Sequence, residues 1–292
     1  MLAFAWACGG DDSTTTDGGN DAQNGNDATN GNDTGNGSDT GNGNETGTDS
    51  GPQPAKANYG FVSFGESKTG QSTTYTASAN FYATPDGGVT TPPGCTTTVG
   101  SCCYRAPPDA GTTGSSPTAV SAGGITLKDG ATTIGTMSPT GTTYTALNSG
   151  TTNTLKWTDG DSITVSAAGD TVHPFNGSVV TVSLFAGVSP ALSFVPGTTI
   201  SKSQNFTISW TAGTGATSLL LSEGNIAGGT ISCTATTDPG TFTIDKSLLA
   251  SLTSLTGTIT LSRTNEADAS PDNATITLES TTSTSGSTTF TN

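Results

Sequence analysis

Few residues of this 292-residue chain have the types and spacing to do chemistry, and those few are scattered. The single histidine, His173, sits in Thr171-Val172-His173-Pro174-Phe175. One imidazole cannot build a His-rich metal site, and no Gly-x-Ser-x-Gly elbow accompanies it for acyl transfer. Asp159 and Asp161 flank Gly160, while Glu266, Asp268 and Asp272 share a stretch expected to be a loop over 264–273. Carboxylates set about 5 to 10 Å apart across a cleft can hydrolyse glycosides. Clustered carboxylates also suit hard cations, so Glu266, Asp268 and Asp272 form the one group to weigh as Ca²⁺ ligands. The habit of Asp of capping turns explains both groups more simply. The expectation is therefore no catalytic residue, no cofactor and no metal beyond that candidate trio.

Cysteines carry the remaining chemistry. Cys8 stands alone near the start, and Cys95, Cys102, Cys103 and Cys233 follow. Four cysteines in a Thr- and Gly-rich chain that begins like an exported one read as two disulfides. A bond between the adjacent Cys102 and Cys103 is disfavoured, because neighbouring Cα atoms lie about 3.8 Å apart, below the usual disulfide range. That leaves Cys95 with one of the pair and Cys233 with the other. Cys95 with Cys102 and Cys103 with Cys233 is the favoured assignment, a local loop plus a long-range clamp. No Cys-x-x-Cys spacing points to redox chemistry.

The elements that must position these groups are strands. Charged residues are only 11%, aromatic residues 6%, and Thr and Gly abound, a composition of short strands joined by tight turns. The expected class is all-β: two antiparallel β-sandwich domains after a disordered tether. Residues 1–8 form a signal-like apolar segment ending at Cys8. Residues 9–57 repeat Gly-Asn-Asp with a period of six, placing Asp21, Asp27, Asp33 and Asp39 in register. Calcium-binding β-rolls use such carboxylates, but they also need a large apolar residue in each turn. Here only Ala22 and Ala28 are on offer, so a solvated spacer is expected.

A first sandwich is expected over 58–187. Its strands read at 59–64, 73–82, 125–127, 143–146, 154–157, 163–165 and 179–184, with Asp159-Gly160 as a hairpin signal. A second is expected over 188–292, where Phe206, Ile208 and Trp210, then Phe242 with Ile244, Ile259 with Leu261, and Ile276 with Leu278 alternate with polar residues. The run 247–252 reads as one helical turn.

The net charge of −15 is concentrated in the spacer, where nine of the 23 acids lie, and eight Lys and Arg spread thinly offer no stripe for phosphates. Nucleic acid is not an expected partner. No apolar run is long enough to span a bilayer as a helix. Tyr82, Tyr104 and Tyr144 are the tyrosines that could be exposed, with edge or loop packing as the simpler account.

Leu192-Ser-Phe194, Ser203-Gln-Asn-Phe206-Thr-Ile-Ser-Trp210, Ile231-Ser-Cys233, Phe242-Thr-Ile244, Leu248-Leu-Ala-Ser-Leu252 and Ile259-Thr-Leu261-Ser-Arg263 together resemble the C-terminal immunoglobulin-like or fibronectin-III-like module of myxobacterial-type surface lipoproteins. The lipobox-like Cys8 between Ala7 and Gly9, the spacer and the Cys95 to Cys103 cluster are similar to that group too. The resemblance implies a β-sandwich, lipidation at Cys8, sorting to the outer membrane facing outward, and no catalytic residues. The expected role is non-enzymatic: display, adhesion or structure at the cell surface, with a protein or polysaccharide partner. A carbohydrate-binding module is the alternative, and it would require two or three coplanar exposed aromatics on one sheet face.

Overall fold

A computed structural model describes residues 58–69, 72–84, 94–107, 117–149, 155–224 and 228–292. Cys8 and the repeats of 9–57 lie outside the described residues. In chain order the elements are β1 (Asn58–Thr69), β2 (Ser72–Ala83), β3 (Thr97–Val99), β4 (Cys102–Arg105), β5 (Ile125–Asp129), β6 (Thr132–Met137), β7 (Pro139–Thr140), β8 (Thr143–Tyr144), β9 (Leu147–Asn148), β10 (Ser162–Ala167), β11 (Phe175–Val180), β12 (Thr198–Ser201), β13 (Phe206–Ser209), β14 (Ala216–Glu223), β15 (Thr230–Ala235), β16 (Thr241–Ile244), α1 (Lys246–Leu249), β17 (Thr256–Asp268) and β18 (Ala274–Thr291). The architecture is all-β, as the Thr-rich alternation predicts.

One mixed sheet of ten strands organises the described residues, in the order β3-β4-β15-β14-β17-β18-β1-β2-β9. Its spine is β18, which pairs with β17 on one side. On the other side it pairs in parallel with β1 through its first half and with β12 through its last four residues. Sequence alternation explains which face turns inward. Val62 and Phe64 on β1, Ala77, Ala79 and Phe81 on β2, and Ala274, Ile276 and Leu278 on β18 are all buried. A four-stranded antiparallel sheet, β11-β10-β5-β6, closes over them. Trp157 packs edge-on against Phe64 and Tyr75, with ring centroids at 5.5 and 4.8 Å, and fills that first core.

The second core lies under the other half of the same sheet. Leu219 and Leu221 of β14, Ile231 and Cys233 of β15, and Ile259 and Leu261 of β17 face a smaller cover, the two-stranded antiparallel β13–β16 sheet and α1. The helical turn forms where expected. The Asp245 side chain accepts from Ser247 N at 2.8 Å as its N-cap, and Leu248 and Leu249 drop into the core.

The sheet is continuous across the boundary placed at 187/188. β4, early in the chain, joins the second core through Cys102, while Ile276 and Leu278, late in the chain, belong to the first. Which strands pair, and what covers the sheet's inner face, need not follow chain order.

Several local expectations are corrected. Residues 155–158 are not a strand. Leu155 and Trp157 plug the first core instead, and the Asp159-Gly160 turn is held by Thr158 N donating to Asp161 Oδ2 at 2.6 Å, with Gly160 at φ +87°. β11 ends at Val180: the Thr181 amide still bonds Asp161 O in the β10 register, but the Val182 amide leaves the ladder for Ser280 Oγ. Phe194 lies in a loop and is 64% exposed, although strand-like apolar residues precede it.

The favoured disulfide assignment is reversed: Cys95 bonds Cys103, and Cys102 bonds Cys233. Adjacent residues on a strand face opposite ways. Cys102 points into the second core directly opposite Cys233 in the β4–β15 register, so Cys103 is left facing outward, where Cys95 meets it.

Candidate functional site

The outer surface of the ten-stranded sheet is the face turned away from both cores. On β18 the outward positions are Thr275, Thr277, Glu279, Thr281 and Ser283, and on β17 they are Thr258, Thr260, Ser262, Thr264, Glu266 and Asp268. Most of this face is therefore Ser and Thr hydroxyl.

One corner differs. β1 presents Tyr59 and Phe61 outward, because Val62 and Phe64 already occupy its inward positions. Tyr59 stands opposite Tyr82 of β2, with ring centroids 5.4 Å apart and planes at 32°. Both rings are half-buried, and neither hydroxyl has a hydrogen-bond partner among the described residues. Burial, then the Tyr82 hydroxyl, raises the Tyr59 pKa. Across the parallel pairing, Thr275 lies beside Tyr59 and Thr277 beside Phe61. Thr275 and Thr277 also line a shallow depression of about 230 Å³ with Glu266, Asp268 and Ser270. Hydroxyls, a side-chain amide at Asn80 opposite Phe61, and carboxylates thus surround an aromatic pair on one plane.

Glu266 faces Glu279 directly across the β17–β18 ladder. Burial of Glu279, and secondarily the Glu266 carboxylate, push the Glu279 pKa up to about 7. Like charges opposed on a sheet repel, so a proton on Glu279 relieves the pair.

The candidate Ca²⁺ trio is not assembled. Glu266 and Asp268 share the depression on the outer face. Asp272 sits in the turn after β17 and bonds His173, Nδ1 to Oδ1, at 2.6 Å. That hydrogen bond holds the Asp272 carboxyl below its usual range. Among the described residues no three His, Cys, Asp or Glu side chains converge on a point. His173 and Asp272 are solvent-exposed, and their pairing closes one loop on another. The His173 amide donates to Asn273 Oδ1, and Asn273 Nδ2 donates to Thr171 O. Beside them Pro174, Phe175, Asn176, Asp268 and Pro271 line an open depression of about 500 Å³.

Of the tyrosines singled out in the sequence, Tyr82 is on the outer face. Tyr104 packs half-buried against the second core. Tyr144 is a core residue: its hydroxyl accepts from Ala122 N at 2.9 Å and donates to Gly123 O at 2.8 Å. Tyr59 was the residue missed. Its signal is a strand apolar at both alternating sets, Tyr59 with Phe61 and Val62 with Phe64, of which only one set can face a core.

The strongest electrostatic feature is structural. Arg263, 1% exposed, meets Asp238 through Nε at 2.8 Å, while its other nitrogens bond the carbonyls of Ser183 and Thr211. Phe185 stacks on its guanidinium at 4.4 Å. Burial pushes the Asp238 carboxyl up, but donors from Gly240, Gly213, Trp210 and Arg263 outweigh that and hold it below its ordinary value. Gly213 is required here, since a Cβ would meet the guanidinium carbon at 2.7 Å.

No protein family, curated protein or solved structure matches this chain.

Proposed function

We propose that this protein is a non-enzymatic outer-membrane lipoprotein, acylated at Cys8, whose β module acts at the cell exterior as an adhesion or display unit, with an immunoglobulin-like character in the segment 188–292. The observation that carries the reading is how β1 is held. A pull delivered at Asn58 by an N-terminal leash runs along β1, which is laced by nine residue pairs to β18 and twelve to β2. Such a load shears many hydrogen bonds at once instead of unzipping them singly. A module that must hold while tethered benefits from that arrangement, and the covalent brace from Cys102 to Cys233 adds to it.

Mass spectrometry of the mature N-terminus in native membranes tests the anchor. A diacylglycerol mass on Cys8, with Cys8→Ala releasing the chain to the medium, is the expected result. An unmodified chain beginning elsewhere overturns it.

The second reading, a carbohydrate-binding module, is favoured by one observation: the Tyr59 and Tyr82 rings, half-buried and tilted 32° to each other where coplanar exposed rings were required, lie on one sheet face beside hydroxyl and carboxylate side chains.

A further inference from the structure

We infer that the strip running from Tyr82 across Tyr59 and Thr275 to Glu266 and Asp268 binds a polysaccharide of hexosamine units carrying free amino groups. The inference deepens the carbohydrate-binding reading and rests on it.

Three features of the strip converge. The Tyr59 and Tyr82 rings stand side by side at 5.4 Å on the face that no core uses. An aromatic face is electron-rich, and the C–H face of a pyranose is apolar and slightly positive, so the two stack. Next in the same plane come Asn80, Thr275 and Thr277, whose amide and hydroxyls match the donors and acceptors on a sugar edge. Then the surface dips into the depression of about 230 Å³, whose rim carries the exposed carboxylates of Glu266 and Asp268. Four strands at roughly 4.8 Å spacing make the strip about 14 Å wide, enough for a short run of sugar rings laid across the strands.

Charge decides between sugar classes. On this strip β1, β2, β18 and β17 present Glu266, Asp268 and Glu279 outward, and no Lys or Arg among the described residues. A uronate or sulfated polymer would be repelled. A neutral polymer would gain stacking alone, whereas an amino sugar gains stacking on the tyrosines and ion pairs at the far end.

The test uses the full chain at physiological salt, with soluble glucosamine polymer, its fully N-acetylated form, a neutral glucan and a uronate polymer as probes. The glucosamine polymer is expected to bind, and Tyr59→Ala and Tyr82→Ala each to weaken it about tenfold. Combining Glu266→Gln with Asp268→Asn should remove the preference for the free amine over the N-acetylated form. Polymer should also shield Tyr59 and Tyr82 of the unaltered chain from nitration, a readout that needs no variant. Because the whole chain carries −15, a polycation could adhere anywhere. Retained affinity in both tyrosine variants, or nitration unaffected by polymer, would therefore overturn the proposal, as would equal binding of the free and acetylated amines. If the neutral glucan binds equally well, with the tyrosines still required, the carbohydrate-binding reading survives and only the amine assignment fails. If no sugar polymer binds, both fail.

Discussion

The two cores share one sheet yet are closed by different means. The first is covered by a full four-stranded sheet and filled with rings, Trp157, Phe64, Phe81, Tyr144 and Phe175 among them. The second is covered by a two-stranded sheet, β13 with β16, and a four-residue helix. A smaller lid buries less apolar surface. It is this half that contains the Cys102–Cys233 bond, the buried Arg263–Asp238 pair and the Glu223 carboxylate. Glu223 accepts from Gly229 N at 2.6 Å and from the amides of Thr253 and Ser254, tying the end of β14 to two loops. Covalent and ionic braces stand where burial is thin.

Each core holds one tryptophan, Trp157 in the first and Trp210 in the second, so two single-tryptophan variants, one keeping Trp157 and the other Trp210 and both lacking Trp6, follow the cores separately by fluorescence. The sharpest way to break the comparison is to remove the long-range clamp. The loop between Cys102 and Cys233 spans 131 residues. The chain-entropy estimate makes Cys102→Ser with Cys233→Ser cost up to about 5 kcal/mol, against about 2.5 for Cys95→Ser with Cys103→Ser, both upper figures. Denaturant titration should show the Trp210 signal lost before that of Trp157 in the first double variant. Coincident signals would mean the shared sheet couples the cores into one cooperative unit.

Arg263→Ala comes next. It strands the Asp238 carboxylate, and breaking a buried pair in this way costs roughly 3 to 5 kcal/mol. The loss should fall chiefly on the Trp210 reporter. Replacing Arg263 and Asp238 together with apolar residues should recover much of it, and a double-mutant cycle measures that recovery.

The smallest effect is opposite in sign and lies on the outer face. The folded Glu279 pKa of about 7 exceeds its ordinary 4.5, so its contribution to stability is complete below pH 4.5 and disappears as pH rises through 7. Glu279→Gln should therefore leave stability unchanged at pH 4 and raise it by about 2 kcal/mol at pH 9, allowing for partial exposure. Asp238 and Glu223, held low, behave in reverse: they support the fold at neutral pH and lose that support as pH falls through their depressed values. Acid should thus weaken the second core first, whereas alkali acts at the β17–β18 face.

Much of the fold was legible because period-two alternation is local. Phe206 to Trp210, Ile259 with Leu261, and the Asp245-capped turn before Leu248 and Leu249 all read directly. The second half of β18 did not read as strand. Residues 279–291 are almost entirely Ser, Thr and Gly, and they are extended because β17 and β12 supply hydrogen-bond partners on both edges. Tyr59 was hidden for a related reason: whether an outward aromatic meets solvent or a second layer depends on what covers that face.

Composition and pattern alone determined the all-β class, that the four late cysteines form two disulfides, the helical turn and the acidic, repetitive leader. They depend on residue type and near neighbours. Tertiary structure alone decided that two cores share one sheet, that Cys102 and not Cys103 reaches Cys233, and that Tyr59, Tyr82, Glu266 and Asp268 share a face. Those outcomes turn on strand partners up to about two hundred residues apart, whose choice follows from closing a sheet over the buried surface and not from any stretch of chain.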